Sequence, residues 1–500
     1  MPTHALPPIT RSTLSAAVAL MLAASAASAQ EASRAPLSVS TGITLSQTVT
    51  DNVAPATGTR EDEAITIVSP LLQVAAQTAR LRGSFSYSPQ FLAYARDSSR
   101  NDVQHALNAA FQGEAVEQHL FVDVAARISQ QTISPYGLQT PDSSSVNPNR
   151  TEIRSASVTP YLRGRVAGMV DVEARFSAGT SRSASATAVD QDSRSASLRA
   201  SGGRGLLGWT VSHARSVSEF AQGRETTNDT TLLTLNYKPD VDWRLSARLG
   251  RESTDVLSLQ KQSNATWGGG VDWTPSPRTT VSLQADHRYF GSSYTASAQH
   301  RMARTLWRLS STRSASDNRG VGTAGSAAAA AYDALFLQLA TIEPDPARRD
   351  LLVRAQLAEQ GDFLIRAVSL QRRHEASMLW NGLRGSFSAR AFSGDTSRLD
   401  RVSGAQDDLA TVGAVRQHGW GLNASYRLTP SASASLAYTR TATDDAGTLP
   451  GNDQQSASFT LSQRLAERTT LSLTLRHTAY DSLLRPYDEN AAVLLLSVRF

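Results

Sequence analysis

Apolar and polar residues alternate with period two along most of this chain, and charged residues stand in the middle of the polar side. Leu81, Gly83, Phe85 and Tyr87 share one face against Arg82, Ser84 and Ser86. Leu120, Val122, Val124, Ala126 and Ile128 oppose Phe121, Asp123, Ala125 and Arg127. The same holds for Val170 to Phe176 around Asp171, Glu173 and Arg175, and for Trp243 to Leu249 around Arg244, Ser246 and Arg248. It holds again for Val281 to Ala285 and for Leu471 to Leu475. This is the period of strands that are apolar on one side and wet on the other. No segment has the eighteen or more consecutive apolar residues of a membrane-crossing helix. Large apolar residues are also few for a soluble core in a chain of 500 residues, whereas Ser, Thr, Ala, Arg and Gln abound. A sheet closed into a transmembrane barrel meets these conditions, because it needs an apolar residue only at every second position and its other face lines water.

Connection lengths point the same way. Tight gaps fall near Thr78-Ala79, Gly164-Arg165, Gly203-Arg204, Pro239-Asp240, Pro275 to Arg278, Thr429-Pro430 and Ala466-Glu467. They interleave with long polar gaps at 51–62, 130–150, 179–191, 218–226, 253–263, 394–414, 442–452 and 482–488. Short turns alternating with long loops are the pattern of an up-and-down antiparallel barrel in the outer membrane. The runs predict 16 to 22 strands, with the count nearest 22; a barrel of this size encloses an aqueous lumen.

The two ends of the chain extend this reading. Arg11 precedes an apolar run from Leu14 to Ala24, and Ala27-Ser28-Ala29 has the small-x-small form that a signal peptidase reads. We expect residues 1–29 to be a signal peptide and 30–500 to form the barrel. At the other end, counting back by twos from Phe500 gives Val498, Leu496 and Leu494, an apolar stripe ending on an aromatic residue. It resembles the carboxy-terminal strand by which the barrel-assembly machinery recognises outer-membrane proteins. Outer-membrane lipid and that machinery are the partners this implies.

One segment breaks the alternation. Residues 322–361 hold an alanine run, Ala327 to Ala331, and two stretches that favour helix, split by Glu343-Pro344-Asp345-Pro346. We expect a short helical insertion, either a plug or gate in the lumen or a cap outside it.

The motifs that would signal an enzyme do not hold up. Gly203 to Gly208 matches G-x-G-x-x-G, but Trp209-Thr210-Val211 continues as strand, so the string reads as a turn. His374-Glu375 starts like a zinc motif, but Met378 replaces the second histidine. Asp444-Asp445 and Asp453 lack calcium-loop spacing. No G-x-S-x-G nucleophile elbow is present. The reading is of a non-enzyme with no cofactor and no metal site. The chain contains no cysteine, and its slight positive balance rests almost wholly on arginine without forming a basic stripe, which argues against nucleic acid as a partner. The candidate functional residues are the mid-strand charges Arg82, Asp123, Arg127, Asp171, Arg175, Arg199, Arg244, Arg248, Asp272, Asp286 and Arg476. Facing inward, they set the electrostatics of a pore or simply pair with one another and keep it wet.

Several pieces in order resemble the outer-membrane β-barrels associated with PEP-CTERM and exosortase loci. These are Thr50-Asp51-Asn52, Ile67 to Leu72 leading to Leu81 to Tyr87, Gln130 to Gly137, Thr151 to Leu162, and Pro344 to Arg348. The resemblance implies a channel that takes part in exopolysaccharide export, with a polysaccharide and a polysaccharide export protein as partners. A general porin or small-solute channel, and a surface-exposed structural or adhesive barrel, are the alternatives.

Overall fold

A computed structural model of the chain describes residues 36–55, 60–185, 190–221, 223–316, 363–365, 367–400, 402 and 407–500. The expected signal peptide and the expected helical insertion at 322–361 lie outside the described residues.

Twenty-two strands, β1 (Leu37–Thr50) to β22 (Tyr487–Arg499) in chain order, form one sheet. Each pairs antiparallel with its neighbours in sequence, and β1 closes the ring by pairing with β22 from Gly42↔Arg499 to Thr50↔Ala491. The closed ring leaves no edge strand, as hydrocarbon surroundings demand. With strands about 4.8 Å apart and tilted 35–45°, a ring of this size has a backbone diameter on the order of 40 Å.

Apolar side chains face outward. Leu45, Leu162, Leu198, Leu249, Leu309, Leu436 and Leu475 share this face and each is more than 40% exposed, far more apolar surface than a water-soluble exterior carries. All seven tryptophans lie on it too, paired in register with Leu235 (Trp209), Leu249 (Trp267), Met378 (Trp307), Phe387 (Trp380), Ala391 (Trp420) and one another (Trp243, Trp273). Trp243 and Trp273 stack at 5.4 Å near the tight-turn end. On β12 (Gln262–Ser276), Trp267 stands six residues above Trp273, roughly 20 Å of strand, close to the height of an outer-membrane apolar band.

At one end every connection is a turn of two to four residues, from 205–206 up to the four-residue 428–431, and this is the periplasmic end. The opposite end carries the longer loops, with two differences from the sequence reading. The connections expected at 218–226 and 482–488 shrink to 221–224 and 483–486, and β13 joins β14 through 289–290 alone. The strands run past the apolar band here, because ladder hydrogen bonding continues through polar residues as readily as apolar ones once water is available; Gln191↔Phe220 and Asp192↔Glu219 are such pairs. A five-residue helix, α1 (Asp408–Val412), closes the loop after β17 (Gly385–Arg398), with Asp407 accepting from the Ala410 N–H at 2.8 Å as its N-cap.

Candidate functional site in the barrel lumen

The eleven mid-strand charges all lie on the face opposite the tryptophans. Following the register, Arg82 stands across from Gln112, and Gln112 from Asp123. Arg127 faces Ser155, Arg175 faces Tyr161, Asp171 faces Arg165, and Arg199 faces Glu173. Arg244 faces Asp272, Arg248 faces Gly268, Gly268 faces Asp286, and Arg476 faces Ser458. Several of these charges pair within the wall. Arg175 meets Asp123 at 3.4 Å, Arg165 meets Asp171 at 2.7 Å, and Arg248 meets Asp286 at 3.2 Å. Asp272 accepts from the Ser282 hydroxyl at 2.6 Å.

The Arg248–Asp286 pair spans two strand spacings and crosses Gly268 in the middle of one cross-strand row. A β-carbon at 268 would sit 2.0 Å from Asp286 Oδ1 and 2.4 Å from the Ala285 carbonyl oxygen. Glycine is therefore what lets the two charges meet. Gly268→Ala is expected to push them apart and destabilise the barrel by about 1–3 kcal/mol, the usual range for overpacking, read as a lower urea midpoint in lipid. An unchanged midpoint would show that the row is not tightly packed.

The main feature inside the ring is a loop. Residues 133–149 join β5 (Leu120–Thr132) to β6 (Arg150–Val166) and bend back into the lumen instead of projecting outward. Its shape is set by its own side chains. The Asn149 amide donates to the carbonyls of Ser134 (2.8 Å) and Leu138 (3.1 Å), and its oxygen accepts from the Ser134 N–H at 2.9 Å. Asp142 accepts from the Ser144 N–H at 2.8 Å and the Ser144 hydroxyl at 2.6 Å, an Asx turn that suits the Pro-Asp-Ser-Ser sequence.

Inner-face side chains from both flanks hold the loop. Tyr480 and Tyr487 donate their hydroxyls to the carbonyls of Gly137 (3.0 Å) and Gln139 (2.6 Å); their rings stack at 5.3 Å and Leu138 packs against the pair. From β3 (Leu81–Tyr94), Tyr94 donates to the Ser144 carbonyl at 2.6 Å. The Asn452 amide of β20 (Asn452–Ala466) donates to the Pro135 carbonyl at 2.8 Å. Val146 packs on the cluster of Val53, Ala54, Ile65, Leu92 and Tyr94, while Tyr136 joins Ile365, Leu409 and Val415. The loop thus covers the arc from β19 (Ala432–Thr443) through β22 and round to β4 (Asp102–Val116).

Charge fixes the centre of this attachment. Arg476, on β21 (Thr469–Ser482), bridges Asp142 of the loop at 2.5 Å and Glu489 of β22 at 3.2 Å. Glu489 is 2% exposed and also accepts from the Thr50 hydroxyl at 2.8 Å. Burial alone would raise the Asp142 pKa; the charge of Arg476 and the Ser144 donors overcome this and hold the carboxyl well below the usual carboxylate range. Six residues separate Arg476 from the strand end at Ser482, so the loop reaches roughly 20 Å of strand below the rim.

In the sequence, 130–150 reads as a long polar gap and Arg476 as a wall charge, and neither points to this contact. The signal was there in Tyr94, Tyr480 and Tyr487, bulky aromatics on a face otherwise rich in Ser and Thr, where a partner in the lumen is needed to cover them. The string at 203–208 is a hairpin turn as expected, with Gly205 at φ +60. His374 and Glu375 point to opposite faces of one strand. Among the described residues no group of acids and histidines is placed to hold a metal ion.

No family model matches the chain, and no curated protein matches it. Solved structures do. The ferric enterobactin receptor PfeA of Pseudomonas aeruginosa aligns over 92% of this chain and 80% of its own, with 9% identity and a TM-score of 0.49. The siderophore receptor PirA of the same organism gives 10% identity over the same shares, with a TM-score of 0.46. OccK8 (OprE), also from Pseudomonas aeruginosa, gives 10% identity over 93% of this chain and 98% of its own, with a TM-score of 0.37. At such identities the likeness is one of fold. The location follows from the chain's own geometry: a closed ring with an apolar exterior, an aromatic rim and a polar interior is a barrel of the bacterial outer membrane.

Proposed function

We propose that the barrel is an outer-membrane channel that takes part in exopolysaccharide export, its passage narrowed by the inward loop 133–149. The observation that carries this is the inner face itself. Along β18 (Ala414–Arg427) to β22 and β1 it presents mostly Ser, Thr, Asn and Gln with scattered arginines, a surface of hydroxyls and amides suited to a hydrated glycan. The resemblance to barrels of exopolysaccharide loci supports the same reading. A polysaccharide export protein on the periplasmic side and the barrel-assembly machinery are the partners it brings with it. Nothing in the described residues forms a nucleotide site, so the driving force comes from elsewhere in such a system.

The test is cell-surface polysaccharide in a strain lacking this protein, beside a complemented strain. Loss of surface polymer, restored by the intact chain, is the expected result. The inward loop also fits a small-solute channel, and unchanged polymer together with steady ion conductance in planar bilayers would favour that second reading.

A further inference from the structure

Charge is distributed unevenly around the periplasmic mouth. On β13 (Thr279–Arg288) through β22, and on β1 to β3, the five residues of each strand nearest the tight turns include no Asp or Glu. On the inner face of this arc stand Arg301, Arg308, Arg427, Arg464, Arg499 and Arg82. Further arginines occupy the adjoining turns, where Glu467 is the one acid among the described residues.

Five of these guanidiniums are not neutralised by the wall. Arg82, Arg301 and Arg427 make no ion pair among the described residues, while Arg308 donates to the Gln299 amide oxygen at 3.2 Å and Arg464 to the Pro430 carbonyl at 3.3 Å, both uncharged. The opposite arc is different: Arg163 pairs with Glu173 at 3.1 Å, Arg165 with Asp171 at 2.7 Å, and Arg175 with Asp123 at 3.4 Å.

The arginine arc has a repeat. Ser425, Ser462 and Ser497 stand two residues in from Arg427, Arg464 and Arg499, on the same face of alternate strands. The Arg427 and Arg464 units each offer a planar fork that fits a carboxylate, with a hydroxyl beside it that can donate or accept. Alternate strands place such units roughly 10 Å apart, so one chain molecule with repeated acid groups can engage several.

We infer that this arc is the entry site for a polyanionic glycan, one carrying carboxylates along its length. The inference rests on the export reading and names its substrate class. An acidic protein would need a surface beneath the mouth; the inward direction of these six side chains instead favours a polymer that enters the lumen.

The experiment uses the full chain purified in detergent, with fluorescent polygalacturonate as the probe and fluorescent dextran of equal length as the neutral control. We expect polygalacturonate to bind, dextran not to, and the affinity to fall as salt rises. The triple variant Arg301→Gln/Arg427→Gln/Arg464→Gln, with barrel assembly checked by heat-modifiable migration, is expected to lose affinity roughly ten- to a hundredfold, at a few-fold per exposed contact. Arg163→Gln/Arg165→Gln on the neutralised arc should change it little. Equal binding of both glycans, or a triple variant that binds as the parent does, would overturn the assignment. So would binding of neither glycan, with the triple variant losing a crosslink to an acidic periplasmic protein, which would give the arc to that protein. The surface-polymer assay separates the two claims: polymer lost on deletion but unaffected by the triple variant leaves export standing and removes the polyanion.

Discussion

Arg476→Ala is expected to free the loop 133–149 from the wall and to cost about 3–5 kcal/mol, the range for removing one partner of a buried charge group. The reason is what stays behind. Glu489 is 2% exposed, and Asp142 would face it with no cation between them. The free energy is read from urea unfolding in lipid, and the loop's release from cleavage within 133–149 by a broad-specificity protease in intact cells. A double variant, Arg476→Met/Glu489→Gln, is expected to recover part of the stability while leaving the loop loose, because it removes the stranded carboxylate but does not restore the tie to Asp142. The pH dependence has a definite sign. The Asp142 pKa lies below its unfolded value, so its contribution is complete above about pH 4 and disappears as pH falls through the folded value. Protease sensitivity of the loop should therefore be flat from neutral to mildly acid pH and rise only below that. If Arg476→Ala leaves the loop protected, the tyrosine hydroxyls and the Leu138 packing hold it without the charge.

The wall was legible in the sequence because a strand's side-chain period is fixed by backbone geometry. Once Leu81 and Phe85 are assigned to one face, Arg82 must lie on the other, and one consistent register carries that assignment round all 22 strands. The tight turns were legible for a related reason, as Gly205 at positive φ shows. The loop was not. Its fold depends on Asn149 reaching Ser134 and Asp142 reaching Arg476, contacts between residues that no period relates. Connection length was also misjudged where strands leave the apolar band, since β8 (Gln191–Arg204) and β9 (Leu207–Phe220) keep pairing through Gln191 and Phe220, residues that read as loop. The arginine arc escaped notice because its members are far apart in sequence and only the closed ring brings β22 beside β1.

The closing strand offers the sharpest test of the assigned faces. In β22 Leu496 faces outward, in a row with Leu45 of β1 and Leu471 of β21, whereas Leu495 faces inward beside Ser46 and Ser472. Leu496→Arg places a charge against lipid three residues from the strand end, between interface and midplane, and is expected to cost about 1–3 kcal/mol. Leu495→Arg meets two serines and water and should cost far less, although the substitution and its position in the chain are nearly the same. Refolding into lipid vesicles with urea titration measures both. The outward row Leu494, Leu496, Val498 and Phe500 is also the stretch proposed to engage the barrel-assembly machinery, and Phe500 docks by donating its N–H to the Thr41 carbonyl at 2.9 Å. In cells, Phe500→Ser should thus lower the amount of assembled barrel while leaving refolding into pure lipid nearly intact, since a terminal side chain adds little to the ladder. Loss of both together would mean that this end stabilises the ring itself and is not a signal read during assembly. Equal costs for Leu495→Arg and Leu496→Arg would mean that the two faces do not see different solvents, and the barrel's orientation of inside and outside would fall with them.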